Sequence, residues 1–306
     1  KGNNMRITGI ITAMATPLHD DGSLSRDGVV SLVNRLIKNG VSGLFILGTN
    51  GEFFGLSDDE KVAYAKMVVE VVAGRVPVYV GTGTIGTKEV IALSQRMEEV
   101  GVSAVSIITP YLLSFSQDEL YAHYKLISDA VTLPIILYNI PQNTGNNLEP
   151  ETVGRLAKLP NIIGIKDSSG NLEQLAKYID LTRQEDFSVL VGSDSRILAA
   201  LQLGADGAVA ATSNVLTKTD VGIYRHFLSH QLKEAEKLQE SINAYRKVLK
   251  YSTIPSVLKY TLNQIGIPVG DSLSPVKLTL TADEKKEINK VLKSYQEYEN
   301  FEGKIK

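Results

Sequence analysis

The chain of 306 residues contains no cysteine and only four histidines. Without thiols there can be no disulfide, zinc–thiolate site, iron–sulfur cluster or thiol nucleophile. The same absence fits a reducing compartment, so the cytoplasm is the expected location. His226 and His230 have a spacing that could put both on one helix face, but the flanking YRHFLSH offers them no carboxylate. A surface helix is expected there rather than a metal site. His123, in ELYAHYK, reads as an ordinary helix residue. No metal and no other cofactor is expected. Charge of one sign is also lacking: 32 Lys and Arg stand against 34 Asp and Glu, a formal net charge of −2. No basic excess points to nucleic acid. No apolar run approaches the ~20 residues of a membrane helix, and KGNNMRITG lacks the long apolar segment of a secretory signal. Neither a GK[ST] phosphate loop nor a GxGxxG opening a helix is present, which argues against nucleotide cofactors.

What the chain does have is a regular alternation. Apolar runs rich in Val, Ile and Gly begin at Gly9, Gly43, Pro77, Ala104, Pro134, Ile162, Phe187 and Gly207. They are near-continuously apolar, as parallel strands covered on both faces must be. Between them lie helix signals. Ser57–Glu60 and Ser116–Glu119 are capping boxes. Val90, Leu93, Met97 and Val100 form a stripe at helical period, and Gly40, Gly101 and Gly204 stand at helix ends. Eight strand–helix units predict a (β/α)8 TIM barrel over residues 1–230. An open doubly wound sheet is the structural alternative, but it would not demand eight units. From residue 231 to 306 the strand signal vanishes. QLKEAEKLQESINAYRKVLKY, the segment Pro255 to Ile265, and a segment started by the capping box Thr281–Glu284 predict a C-terminal three-helix extension.

Charged residues inside the strand runs are informative, because barrel strands need apolar side chains. Only Lys166, Asp167 and Asp194 occur there, and Lys166 is the sole lysine in a predicted strand. It follows IIGI near the strand's C-terminal end, where barrel active sites are built. With Lys166 pointing inward, Ile162 and Gly164 point inward too, and Gly164 leaves room below the amine. An amine taken out of water loses stabilisation of its charge, which favours the neutral nucleophile. The matching chemistry is a Schiff base with a ketone or aldehyde. The competing reading is a structural ion pair with Asp167 or Asp194. Tyr138 ends the preceding strand, within reach of Lys166, where a phenol could shuttle protons or simply be a strand-end aromatic. After the second strand, Gly48-Thr49-Asn50-Gly51-Glu52 can curl its amides around a small carboxylate, with Glu52 orienting the loop. Gly81-Thr82-Gly83-Thr84 is a second such loop that a plain turn explains as well.

GTNGE, the YNIP strand end and GIKDSSG, in this order, resemble the pyruvate-dependent class I lyases, the dihydrodipicolinate synthase / N-acetylneuraminate lyase family. The resemblance runs from ITGIITAMATP through the C-terminal helices. It implies a (β/α)8 barrel with a helical C-terminal domain and a homotetramer built as a dimer of dimers. It implies Lys166 as the Schiff-base lysine, Tyr138 as the proton-shuttling phenol and Thr49 as the next hydroxyl of the relay. Gly48, Asn50 and Gly51 would hold the carboxylate of a 2-oxo acid, pyruvate, and Val209 would present its carbonyl to the site.

The departures bear on the second substrate. The synthase branch reads GTTGE where Asn50 stands here. It carries a second tyrosine where this chain has Leu112 after Tyr111, so that phenol is missing unless Tyr111 replaces it. It also carries an arginine where YNIPQNTG has Asn143. Asparagine offers hydrogen bonds but no charge, which suits hydroxyls better than an acidic aldehyde. Gly192 and Asp194 match positions that contact sugar hydroxyls in sialate lyases, yet Ser195 and Ala211 depart from that branch. The expectation is therefore a class I aldolase cleaving a 2-oxo-3-deoxy sugar acid, 2-keto-3-deoxygluconate-like, to pyruvate and an aldehyde. The alternatives are the family's lysine-biosynthesis reaction, condensing pyruvate with aspartate semialdehyde, N-acetylneuraminate cleavage, and a non-catalytic sugar-acid-binding barrel.

Overall fold

All eight apolar runs form strands: β1 (Gly9–Ala13), β2 (Gly43–Ile46), β3 (Val78–Gly81), β4 (Ala104–Ile108), β5 (Ile135–Asn139), β6 (Ile162–Asp167), β7 (Ser188–Val191) and β8 (Gly207–Ala210). They close into a barrel in sequence order, and every described pairing is parallel. The expected (β/α)8 barrel is observed, and the open sheet is excluded by closure. The computed structural model describes residues 6–306; the first five residues of KGNNMRITG lie outside the described residues.

Helices follow the strands: α1 (Arg26–Lys38), α2 (Asp58–Val72), α3 (Thr87–Val100), α4 (Gln117–Ala130), the one-turn α5 (Pro141–Thr144), α6 (Pro150–Leu156), α7 (Leu172–Thr182), α8 (Ile197–Leu203) and α9 (Thr217–Leu228). Their ends obey the local chemistry. Ser57 and Ser116 each accept the amide three residues on, while Glu60 and Glu119 reach back to the cap amide, so both capping boxes are closed. Gly101 ends α3 with φ of 87°, a left-handed conformation that costs glycine little.

Four helices rather than three follow residue 230 among the described residues: α10 (Leu232–Ser241), α11 (Asn243–Leu249), α12 (Ser256–Gln264) and α13 (Ala282–Glu299). The long predicted helix breaks at Ile242, where no Pro or Gly marks the sequence; Ser241 turns its hydroxyl onto the Leu238 carbonyl at 2.7 Å. Thr281 caps α13 with Glu284 as expected.

The chain forms two compact units, one of Val78–Val209 with the stretch ending at Gly9, the other of Ile10–Pro77 with Ala210–Lys306. In the second unit, Arg35 of α1 is buried and its guanidinium donates to the carbonyls of Asn214 and Val215, with Glu302 as its ion-pair partner at 2.6 Å. Glu299 of α13 is equally buried and accepts from the Lys218 and Thr219 amides, capping the start of α9. In the first unit the core is built by the apolar strands and the inner faces of α3, α4 and α7, including Tyr124 and Tyr178.

Candidate active site

In the first unit, β5 and β6 bring the expected catalytic pair together. Tyr138 and Lys166 are partners in the β5–β6 register. The Lys166 Nζ lies 4.1 Å from the centroid of the Tyr138 ring. Both are buried, Lys166 at 5% exposure. A cation over an aromatic face is attracted by the ring quadrupole, so the phenol holds the amine at the end of its strand.

The adjacent Asp167 is committed elsewhere. Its carboxylate accepts from Asn139 Nδ2 at 3.1 Å and from Ser169 Oγ at 2.9 Å. Burial pushes its pKa up, and the Ser169 and Asn139 hydrogen bonds pull it back. Asn139 in turn holds the Leu148 amide, and Tyr178 donates to the Leu148 carbonyl. This polar cluster braces the ends of β5 and β6. Sequence reasoning missed it, although Asn139 next to Tyr138 and Asp167 next to Lys166 were the visible signal.

Two glycines answer to close approach. A Cβ on Gly192, just after β7, would lie 2.0 Å from Ser168 Oγ and 3.0 Å from Lys166 Cε. Gly192 therefore stands directly against the lysine side chain. Gly164 was expected to leave room below the amine. Its constraint comes instead from β7, because a Cβ there would lie 2.8 Å from the Ser188 carbonyl oxygen.

The remaining candidates of this unit lie after strand ends, except Val209, which lies within β8. Asn143 sits exposed on the one-turn α5, and Asp194 opens a short turn at 194–196, half-buried. Val209 is buried in β8. Tyr111 Oη is 3.4 Å from Thr84 Oγ1 of the GTGT loop after β3. Asn146 fixes the Tyr111 loop by donating to the Pro110 and Leu113 carbonyls and accepting from the Phe115 amide. Leu112 in that loop is 82% exposed with φ of 80°.

In the second unit, the Gly48–Glu52 loop leaves β2 in a tight curl. The amides of Gly51 and Phe53 donate to the Gly48 carbonyl, and that of Glu52 to the Thr49 carbonyl. Thr16 Oγ1 donates to the Gly51 carbonyl at 2.7 Å. Thr49 and Asn50 are half-buried at the apex, while Gly48, Gly51 and Glu52 are buried. Glu52, expected to orient the loop, pairs with Lys259 of α12 at 2.7 Å, a partner that sequence reasoning missed.

His123 is a buried residue of α4, with Nδ1 2.7 Å from Thr87 Oγ1. The His226–His230 pair does not share a helix face: α9 ends at Leu228, and His230 follows in a left-handed conformation. His226 Nδ1 pairs with Gln231 Oε1 at 2.7 Å. Among the described residues no group of three or more His, Cys, Asp or Glu could hold a metal ion. No described helix is long and apolar enough to cross a membrane.

The family model described as the dihydrodipicolinate synthetase family matches residues 6–295. The chain is 40% identical over 284 residues to 4-hydroxy-tetrahydrodipicolinate synthase 1 of Halalkalibacterium halodurans, covering 93% of this chain and 96% of that protein. Among solved structures it is similar to a dihydrodipicolinate synthase from Bacillus anthracis, with a TM-score of 0.91, 35% identity, and coverage of 95% and 99%. It is also similar to a prophage protein of the dihydrodipicolinic acid synthase family from E. coli K12 in complex with pyruvate, with a TM-score of 0.88, 32% identity, and coverage of 96% and 99%.

Proposed function

The chain belongs to the dihydrodipicolinate synthetase family, class I aldolases that act as carbon–carbon lyases through a lysine Schiff base, and from that premise we propose that it condenses pyruvate with an acidic aldehyde, the 4-hydroxy-tetrahydrodipicolinate synthase reaction. The observation that carries the chemistry is the buried Lys166 amine held over the Tyr138 ring.

Lys166 Nζ attacks the C2 carbonyl of pyruvate. The ketone oxygen leaves as water once it has gained two protons, and Tyr138, relayed by Thr49, is the group that moves them. The cationic imine acidifies C3. Loss of a C3 proton gives an enamine, whose C3 bonds to the aldehyde carbon while the aldehyde oxygen takes up a proton. The amino group of the aldehyde substrate then attacks the imine carbon and closes the ring, and the bond to Lys166 Nζ breaks to return the free amine. The Asn50 amide, presented by the curl that Gly48 and Gly51 make, receives the pyruvate carboxylate, and the Val209 carbonyl and Tyr111 complete the surroundings. The reaction needs no metal, because the cationic imine formed on Lys166 is the electron sink. This reading makes the enzyme a cytoplasmic homotetramer, a dimer of dimers, with a barrel domain over 1–230 and a helical domain over 231–306.

The names carried by the relatives support condensation over the sugar-acid cleavage expected from the sequence, and they reverse that ranking. One observation favours cleavage as the second reading: Asn143 and Asp194 offer hydrogen-bonding groups and no cation for an aldehyde carboxylate. Assays of the same preparation decide. Condensation of pyruvate with aspartate semialdehyde at kcat/KM above that for pyruvate release from 2-keto-3-deoxygluconate supports the synthase reading. The opposite order supports cleavage.

A further inference from the structure

The buried ion pair between Glu52 and Lys259 joins the loop after β2 to the C-terminal helices within one compact unit. Glu52 and Lys259 side chains are 0% and 1% exposed, and Lys259 Nζ lies 2.7 Å from Glu52 Oε2. Glu52 Oε1 accepts the Leu273 amide at 2.6 Å, and Lys259 Nζ donates to the Asp271 carbonyl at 2.9 Å. One carboxylate thus gathers α12 and the linker that follows it.

The loop it holds is strained and close-fitting. Leu47 and Glu52, at its two ends, both have φ of 59° without being glycine. A Cβ on Gly51 would lie 2.8 Å from the Leu47 nitrogen, and one on Gly48 would lie 2.5 Å from the Phe45 ring. Such backbone persists only where its surroundings over-determine it. Thr16 anchors the loop at Gly51; Glu52 is the second anchor, and its geometry depends on Lys259. Burial disfavours the Lys259 ammonium, and the Glu52 carboxylate opposes that. An apolar pair of similar volume would commonly be as stable as a buried ion pair. What the charges add is direction.

We propose that Lys259 is a positioning residue for the Gly48–Glu52 loop: its ammonium fixes the Glu52 carboxylate, and Glu52 fixes the curl that aims the loop amides at the carboxylate of the 2-oxo acid. This rests on the assignment of that loop to pyruvate under Proposed function. The C-terminal helices thereby take part in substrate binding without touching substrate.

The test uses E52Q/K259M, which keeps the bulk of both side chains and an acceptor for the Leu273 amide while removing both charges. Two quantities are read in the full-length protein: the pyruvate concentration that half-saturates borohydride trapping, and hydrogen exchange at the Gly51, Glu52 and Phe53 amides. The double variant should need about tenfold more pyruvate, with its maximal extent of trapping retained, because misplacement weakens binding geometry. Its loop amides should exchange about tenfold faster. K259R, which keeps the charge, should recover most of the pyruvate affinity. Should the double variant fail to fold, E52Q alone is read the same way. A folded variant with unchanged half-saturation and unchanged loop exchange overturns the proposal, whatever its melting temperature. Absence of trapping in the unaltered enzyme would refute the pyruvate reading instead, and the exchange rates would still decide whether the pair positions the loop.

Discussion

Tyr138 and Lys166 are direct partners across the β5–β6 ladder, and the lysine amine stands 4.1 Å from the centre of the tyrosine ring. The phenyl face and the hydroxyl can be separated by mutation. Tyr138→Phe keeps the ring that supports the amine and removes the proton relay. It should lower kcat by about 10²–10⁴-fold, while the imine with pyruvate still forms, more slowly. Steady-state rates and the time course of borohydride trapping check both halves. A variant with unchanged kcat would remove the phenol from the mechanism.

Gly192→Ala should cripple imine formation without unfolding the barrel. The new methyl group would lie 2.0 Å from Ser168 Oγ and 3.0 Å from Lys166 Cε, so one of these side chains must move. Removing the hydroxyl with Ser168→Ala in the same chain should restore part of the trapping rate. Circular dichroism establishes the fold, and equal trapping by Gly192→Ala and the unaltered enzyme would contradict the crowding.

The acid limb of stability should carry a His123 component. Burial pushes its imidazole down to about 4, and its Nε2 is buried without a hydrogen-bond partner. In the unfolded chain the pKa returns to about 6.5. Between those values the unfolded state binds a proton that the folded state does not. Stability is therefore complete above about pH 6.5 and falls as pH drops toward about 4. The loss from about pH 7 to about pH 5 should be on the order of 2 kcal/mol. Urea unfolding at both pH values should show a shallower pH slope for His123→Gln. An unchanged slope would remove His123 as the cause.

Asn143→Arg should raise kcat/KM for an acidic aldehyde by about tenfold or more, since a guanidinium adds a charge-assisted fork for its carboxylate. Use of neutral sugar-derived aldehydes should not improve. Parallel assays with aspartate semialdehyde and glyceraldehyde check this, and an equal effect on both would place Asn143 away from the aldehyde tail.

The sequence made the barrel legible because β strands covered on both faces must be apolar, and the eight runs repeat at strand-plus-helix spacing. Lys166 was legible for the converse reason: a charge in such a run is conspicuous. Ile242 was not legible as a helix break, because Ser241 makes it locally without Pro or Gly. Lys259 was hidden because a lysine in a helix is ordinary until its partner is known, and Glu52 lies far from it in sequence. Ser168 and Asn139 were hidden for the same reason, as their roles come from side-chain contacts across strands. The aldehyde partner was not legible from Asn143 and Asp194, whose side chains say what groups they offer but not what molecule arrives.

The central claim is that Lys166 forms the imine. Incubation with pyruvate and borohydride, followed by peptide mass mapping, tests it most directly. The account predicts one reduced pyruvyl adduct on Lys166, with loss of activity and no adduct in Lys166→Ala. An adduct mapped to Lys61 or Lys259, the other buried lysines among the described residues, or no adduct at all in active enzyme, would contradict it.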